Sequence, residues 1–147
     1  MITWHFKRFE DLTITELYKI IQLRIEVFVI EQNAPYQDCD EKDFVSYHIF
    51  GTIDEKIVAY ARCIPAGISY KEPCLGRVVT SPQYRGKRYG AQVVYLALEA
   101  MKTQFKTSDC RISAQLYLQQ FYEDYGFKRV SDVYLEDNLP HVEMFKT

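Results

Sequence analysis

The 147-residue chain has no apolar run long enough to cross a bilayer; the longest, Val93 to Leu98, is six residues, where about 20 are needed. Its opening, Met1-Ile2-Thr3-Trp4-His5-Phe6-Lys7-Arg8, has no apolar stretch behind a basic start. A secretory signal is therefore not expected, and the cytoplasm is the expected compartment. Cysteine is sparse: Cys39, Cys63, Cys74 and Cys110 lie 24, 11 and 36 residues apart, with no C-x-x-C pair. That spacing argues against zinc and for reduced thiols that pack as small hydrophobes. No excess of positive charge exists either, since 18 basic and 20 acidic residues give a net charge of -2. A general attraction for nucleic acid or anionic membranes is thus excluded, and any anion site must be local. Repeats, Ser/Gly linkers and low-complexity tracts are missing as well, so residues 1–147 are read as one domain.

What is present is an ordinary globular composition, 48% hydrophobic and 26% charged, with 15% aromatics. A chain of this size buries roughly 70% of the surface its unfolded form exposes. Alternation from Ile2 to Phe9 predicts a strand. Thr13-Ile14-Thr15-Glu16 fits a capping box, opening a helix that runs to about Val29 with Arg24 set into its apolar stripe. From Glu31 to Val45 periodicity stops, and between Glu31 and Asp43 five acids stand against Lys42. Such an acidic loop would draw a cationic ligand, or is simply solvated. Strands are expected at His48–Ile53, Ile57–Ile64 and Leu75–Thr80, a helix from Tyr89, a strand at Arg111–Leu116 and a short helix at Tyr117–Tyr125. Strands at Phe127–Leu135 and Val142–Phe145 close the chain. The expected class is α+β, with a twisted mixed sheet flanked by helices.

The chemistry concentrates in Val78-Val79-Thr80-Ser81-Pro82-Gln83-Tyr84-Arg85-Gly86-Lys87-Arg88-Tyr89-Gly90. A strand, a stop, a basic glycine turn and a helix start follow one another here. Free amides and a partial positive charge at the helix start suit a phosphate or pyrophosphate. Four basic residues and no acid lie between Arg77 and Arg88, a local +4 in a chain of net -2. Neither the P-loop nor the dinucleotide glycine pattern fits the spacing.

The segment resembles the pyrophosphate loop of the GNAT N-acetyltransferases, [QR]-x-x-G-x-[GA]. Arg85 and Gly90 match its ends, and Arg88 stands at the middle glycine. Leu23-Arg24-Ile25-Glu26-Val27-Phe28-Val29-Ile30-Glu31-Gln32 is similar to the L-R-x-x-V-F-x-x-E-Q signature of the ElaA-like subgroup. Ala59-Tyr60-Ala61-Arg62, Gly76-Arg77-Val78-Val79, Gln119-Gln120-Phe121-Tyr122 and Pro140-His141 agree with that subgroup. The resemblance implies a single-domain acyl-CoA N-acyltransferase fold and acetyl transfer from acetyl-CoA to the primary amine of a small molecule or peptide. Neither metal, nucleic acid nor membrane would take part, and a homodimer is left open.

By the same resemblance, the main chain of Val78, Val79 and Thr80 would hold the pantetheine arm and polarise the thioester carbonyl. Arg85, Gly86, Lys87, Arg88, Tyr89 and Gly90 would bind pyrophosphate, and Gln115 would contact the cofactor. Tyr122, in a Y-x-x-x-G-F segment, would protonate the departing thiolate; a phenol of pKa about 10 is still protonated at neutral pH. For the general base the candidates are Glu31, Asp43, His48 and His141, of which Glu31 and His141 are carried forward as catalytic. An Arg24–Glu31 ion pair ordering the loop is a competing expectation. A non-catalytic acyl-CoA sensor and an acyl-homoserine-lactone synthase remain alternatives that the resemblance alone does not remove.

Overall fold

Capping at Thr13 sets the first helix, as the sequence predicts. The Glu16 amide donates to Thr13 Oγ1 at 3.0 Å and the Thr13 amide donates to Glu16 Oε1 at 2.9 Å, satisfying two otherwise free donors. The computed structural model describes all 147 residues. Strand β1 (Thr3–Arg8) precedes helix α1 (Ile14–Arg24), which continues as a wider, i→i+5 bonded turn over Ile25–Glu31. Strands β2 (Tyr47–Ile53), β3 (Lys56–Ile64) and β4 (Cys74–Thr80) lead to helix α2 (Tyr89–Phe105). Then come β5 (Cys110–Gln115), the short helix α3 (Gln119–Glu123), β6 (Lys128–Arg129), β7 (Tyr134–Glu136) and β8 (Leu139–Lys146).

The eight strands form one sheet in the order β1-β2-β3-β4-β5-β8-β6, with β7 also on β8. All pairs are antiparallel except β4–β5, which is parallel and joined at Cys74↔Arg111 alone. Beyond that point the two strands part, and alternate main-chain groups of β4 face a gap rather than a neighbour. Period-2 alternation feeds two cores. Ala59, Ala61 and Cys63 pack with Val93, Val94, Ala97 and Met101 of α2 on one face, while Phe50, Tyr60 and Val79 pack with Ile20, Leu23 and Val27 on the other. Each fully buried Val, Leu, Ile, Phe or Met side chain among them contributes about 1.5–3 kcal/mol.

The helix expected to stop near Val29 runs to Glu31, because the wider turn absorbs two more residues before the chain leaves it. Phe127–Leu135, expected as one strand, is two short ones separated by Val130–Val133. The last strand begins earlier than expected, at Leu139, across an Asp137-Asn138 turn in which both residues are left-handed, φ 49° and 64°. Aspartate and asparagine tolerate that conformation, which makes the tight hairpin cheap.

Candidate active site

A cleft follows the gap between β4 and β5. It has two halves that share Phe28, Gln32, Val78, Gln115, Leu118 and Tyr122. One half reaches Thr80, Arg85 and Gly90, the other Gly76, Arg77, Ser113, Glu136 and His141. The wide turn after α1 supplies the wall with Phe28 and Gln32. Single wide turns of this kind commonly re-aim side chains at functional sites. Gln32 Oε1 accepts from Gln115 Nε2 at 3.3 Å, tying that wall to β5 across the cleft.

At the first half, the start of α2 carries no side-chain cap, and its first main-chain bond is Gln92 to Arg88. The amides of Tyr89, Gly90 and Ala91 therefore point outward from a positive helix end. Arg88 is left-handed, φ 64°, with its side chain in solvent, so the position where GNAT loops usually carry glycine keeps a glycine-like backbone. Gly86 is also left-handed, φ 83°. A Cβ on Gly90 would stand 3.2 Å from Thr80 Oγ1, which fixes how closely the helix approaches the end of β4. Val79 turns its side chain into the α1 core and has only main chain to give the cleft. Lys87 and Arg88 are exposed beyond the groove.

Arg85 is held by Glu31, with Nη2 to Oε1 at 2.6 Å and Nη1 to Oε2 at 2.8 Å. This corrects the expected Arg24–Glu31 pair. Hydrogen bonding from Arg85 lowers the Glu31 carboxyl below the ordinary range. Arg24, fully buried, donates instead to Asp38 Oδ2 at 2.8 Å and Asp43 Oδ1 at 2.7 Å. Arg62 reaches Asp40 at 2.8 Å and Asp43 at 3.1 Å, and Arg77 reaches Asp38 at 2.9 Å. The acidic loop is thus not a free negative surface: three of its carboxylates face three arginines from the helix and the sheet.

Two base candidates are absorbed by this network. Burial would raise the Asp43 carboxyl, but Arg24 and then Arg62 outweigh it and hold it low. His48 is buried, its Nε2 on the Asp43 carbonyl at 3.0 Å and its Nδ1 on the Tyr60 hydroxyl at 2.7 Å; burial pushes its pKa down. Neither lines the cleft.

His141 does line it, together with Tyr122. Its Nδ1 lies 2.7 Å from the Leu139 carbonyl oxygen, an acceptor only, so Nδ1 carries the proton and Nε2 is the free nitrogen. The Nε2 atom is 3.6 Å from Glu136 Oε2. Tyr122 sits where the two halves meet; burial pushes its phenol pKa up, keeping it protonated at neutral pH. Sequence reasoning had missed Phe28, Gln32, Arg77, Ser113 and Glu136. The Asp137-Asn138 turn signal was there to find Glu136, but a single strand drawn through Leu135 hid it.

Residues 17–147 match the family model for the acetyltransferase (GNAT) domain. The chain belongs to the GNAT acetyltransferase family. Among GNAT proteins it is similar to ElaA of Escherichia coli (strain K12), 38% identical over 146 residues, 98% of this chain and 95% of ElaA. The crystal structure of Escherichia coli ElaA covers 100% of both chains at 37% identity with a TM-score of 0.94. That of an acyl-CoA N-acyltransferase from Pseudomonas aeruginosa does the same at 39% identity and 0.95. The chain is therefore ElaA-like and has the acyl-CoA N-acyltransferase fold. An aminoglycoside 6'-N-acetyltransferase complexed with coenzyme A shares the fold alone, at 15% identity and a TM-score of 0.69 over 97% of this chain and 96% of that one.

Proposed function

We propose that the protein transfers an acetyl group from acetyl-CoA to a primary amine in the cleft between β4 and β5. The observation that carries this reading is one groove with an uncapped, locally basic helix start at one half, an imidazole at the other and a phenol where the two meet. Pyrophosphate would lie on the amides of Tyr89, Gly90 and Ala91 with Arg85 beside it. The unpaired main chain of β4 around Val78 would then align the pantetheine arm as an added strand and point an amide at the thioester oxygen.

His141 Nε2 takes one proton from the arriving ammonium. The neutral nitrogen attacks the carbonyl carbon, a C–N bond forms, and the oxyanion collapses with loss of the C–S bond. The second proton passes from nitrogen to sulfur through the Tyr122 hydroxyl, which gives one proton and receives another. His141 returns its proton to water. A relay suits Tyr122 better than outright ionisation, since burial disfavours its phenolate. Glu31 is the poorer base because both of its oxygens are on Arg85, at the cofactor half. Direct attack is favoured over an acyl-enzyme: Cys63, Cys74 and Cys110 are buried, with burial pushing the Cys74 and Cys110 thiols up to about 12.

A second reading, an acyl-CoA sensor without catalysis, would keep the loop and need neither His141 nor Tyr122. Release of CoA thiol from acetyl-CoA in the presence of amines, wild type against Tyr122→Phe, separates the two.

A further inference from the structure

We infer that Glu136 is the acceptor-binding residue and that it selects primary amines carrying further positive charge and no carboxylate. The inference rests on the acyl-transfer reading and extends it to the substrate. Glu136 ends β7 at the edge of the His141 half of the cleft, its side chain about half exposed. Ser113 Oγ donates to its Oε1 at 3.0 Å, which leaves Oε2 turned to His141 Nε2 at 3.6 Å. That separation is too long for a hydrogen bond. It lets a primary ammonium approach both atoms together, donating one N–H to the carboxylate while another proton faces the imidazole nitrogen.

The imidazole itself is more than nine-tenths buried, and Nε2 is its one nitrogen without a hydrogen-bond partner. The ring is buried but Nε2 itself opens onto the cleft, where a donor from outside the protein can reach it. The Tyr134 ring stacks on the imidazole, centroids 6.1 Å apart, and its hydroxyl bonds Ser113. Ring and carboxylate are thereby braced by one set of contacts.

Charge around this point favours a cation. Arg77, the nearest basic residue on β4, is engaged by Asp38, Arg62 by Asp40 and Asp43, and Lys42 turns to Ser69 Oγ at 2.9 Å in the adjoining pocket. Glu143 is taken up by Arg111. Glu136 and its exposed neighbour Asp137 are in no ion pair with lysine or arginine. The unpaired carboxylates that line the cleft are thus on the β7–β8 hairpin, not on the 31–43 loop, whose Glu31 is held by Arg85. A distal ammonium would gain from Asp137, and a distal carboxylate would be repelled by both acids.

Butylamine, 1,4-diaminobutane and 4-aminobutanoate have the same reach and differ in the distal group. Wild type is expected to turn over the diamine with kcat/KM at least roughly tenfold above 4-aminobutanoate, with butylamine between. In Glu136→Gln/Asp137→Asn, both isosteric and the second still suited to the left-handed turn, KM for the diamine rises about tenfold and the ranking collapses. KM for acetyl-CoA does not move. Equal use of the diamine and 4-aminobutanoate by wild type, or a diamine preference that survives the double substitution, overturns the assignment. Should no amine turn over, calorimetric titration of 1,4-diaminobutane still decides. Binding lost in the variant keeps the cation site while acyl transfer fails, and no binding to wild type rejects the site.

Discussion

Arg85 cannot give the same guanidinium hydrogens to Glu31 and to a pyrophosphate. In the structure Glu31 holds them, at 2.6 and 2.8 Å, with both side chains more than two-fifths exposed. An exposed pair of this kind is weak, on the order of 0.2–1 kcal/mol, so an incoming dianion displaces it at small cost. Glu31→Gln is therefore expected to tighten acetyl-CoA binding by about two- to fivefold, and Arg85→Ala to weaken it by about tenfold, both read by calorimetric titration. Weaker binding in Glu31→Gln would mean that the carboxylate orders Arg85 for the cofactor instead of competing for it. Arg88 carries a related lesson. It stands at the family loop's middle glycine, and its left-handed φ of 64° gives that position a backbone glycine would adopt readily, with an added cation.

Among elements, the parting of β4 from β5 does most for the site. Gly76 lies on that stretch, and a Cβ there would meet nothing within 4 Å. Its φ is not left-handed, so a side chain is tolerated by the backbone and would line the His141 half of the cleft. Gly76→Val is expected to leave the melting temperature within a few degrees of wild type while raising the acceptor KM at least tenfold. Acetyl-CoA affinity should change less than threefold. A collapse of stability would show that the glycine serves packing, and an unchanged acceptor KM would move the amine elsewhere. The basic glycine turn before α2, the capping box and the β2–β3 hairpin were legible in the sequence because each is local: the deciding residues lie close together along the chain. The His141 half of the cleft was legible only at His141 itself. Gln32 meets Gln115, Arg24 meets Asp38 and Asp43, and Glu136 meets His141 and Ser113 through chain reversals that periodicity cannot register.

Across the whole molecule, Arg24, Arg62, Arg77, Asp38, Asp40 and Asp43 pin the loop and α1 to the sheet. Burial and then Arg62 act oppositely on Asp40, and the arginine prevails, lowering it to about 2. The pKa of Asp43 is likewise depressed and that of His48 is pushed below 6.5. For each, the unfolded chain binds protons more readily than the folded one, so stability falls as pH falls. The contribution of His48 is complete above about pH 6.5 and declines below it, while that of the two aspartates is complete above about pH 4 and declines as pH falls further. Thermal unfolding followed by circular dichroism is expected to show two successive losses on acidification, the upper one missing in His48→Gln. A single loss in both proteins would contradict the buried neutral His48.

The most direct test of the account is release of free CoA thiol from acetyl-CoA, followed with polyamines, amino acids, amino sugars, arylalkylamines and lysine peptides as acceptors. Saturable release with cationic amines is expected in the wild type, and Tyr122→Phe should lower kcat by at least about a hundredfold with acetyl-CoA affinity unchanged. Acetyl-CoA binding without release for any amine, or Tyr122→Phe turning over like wild type, would contradict it.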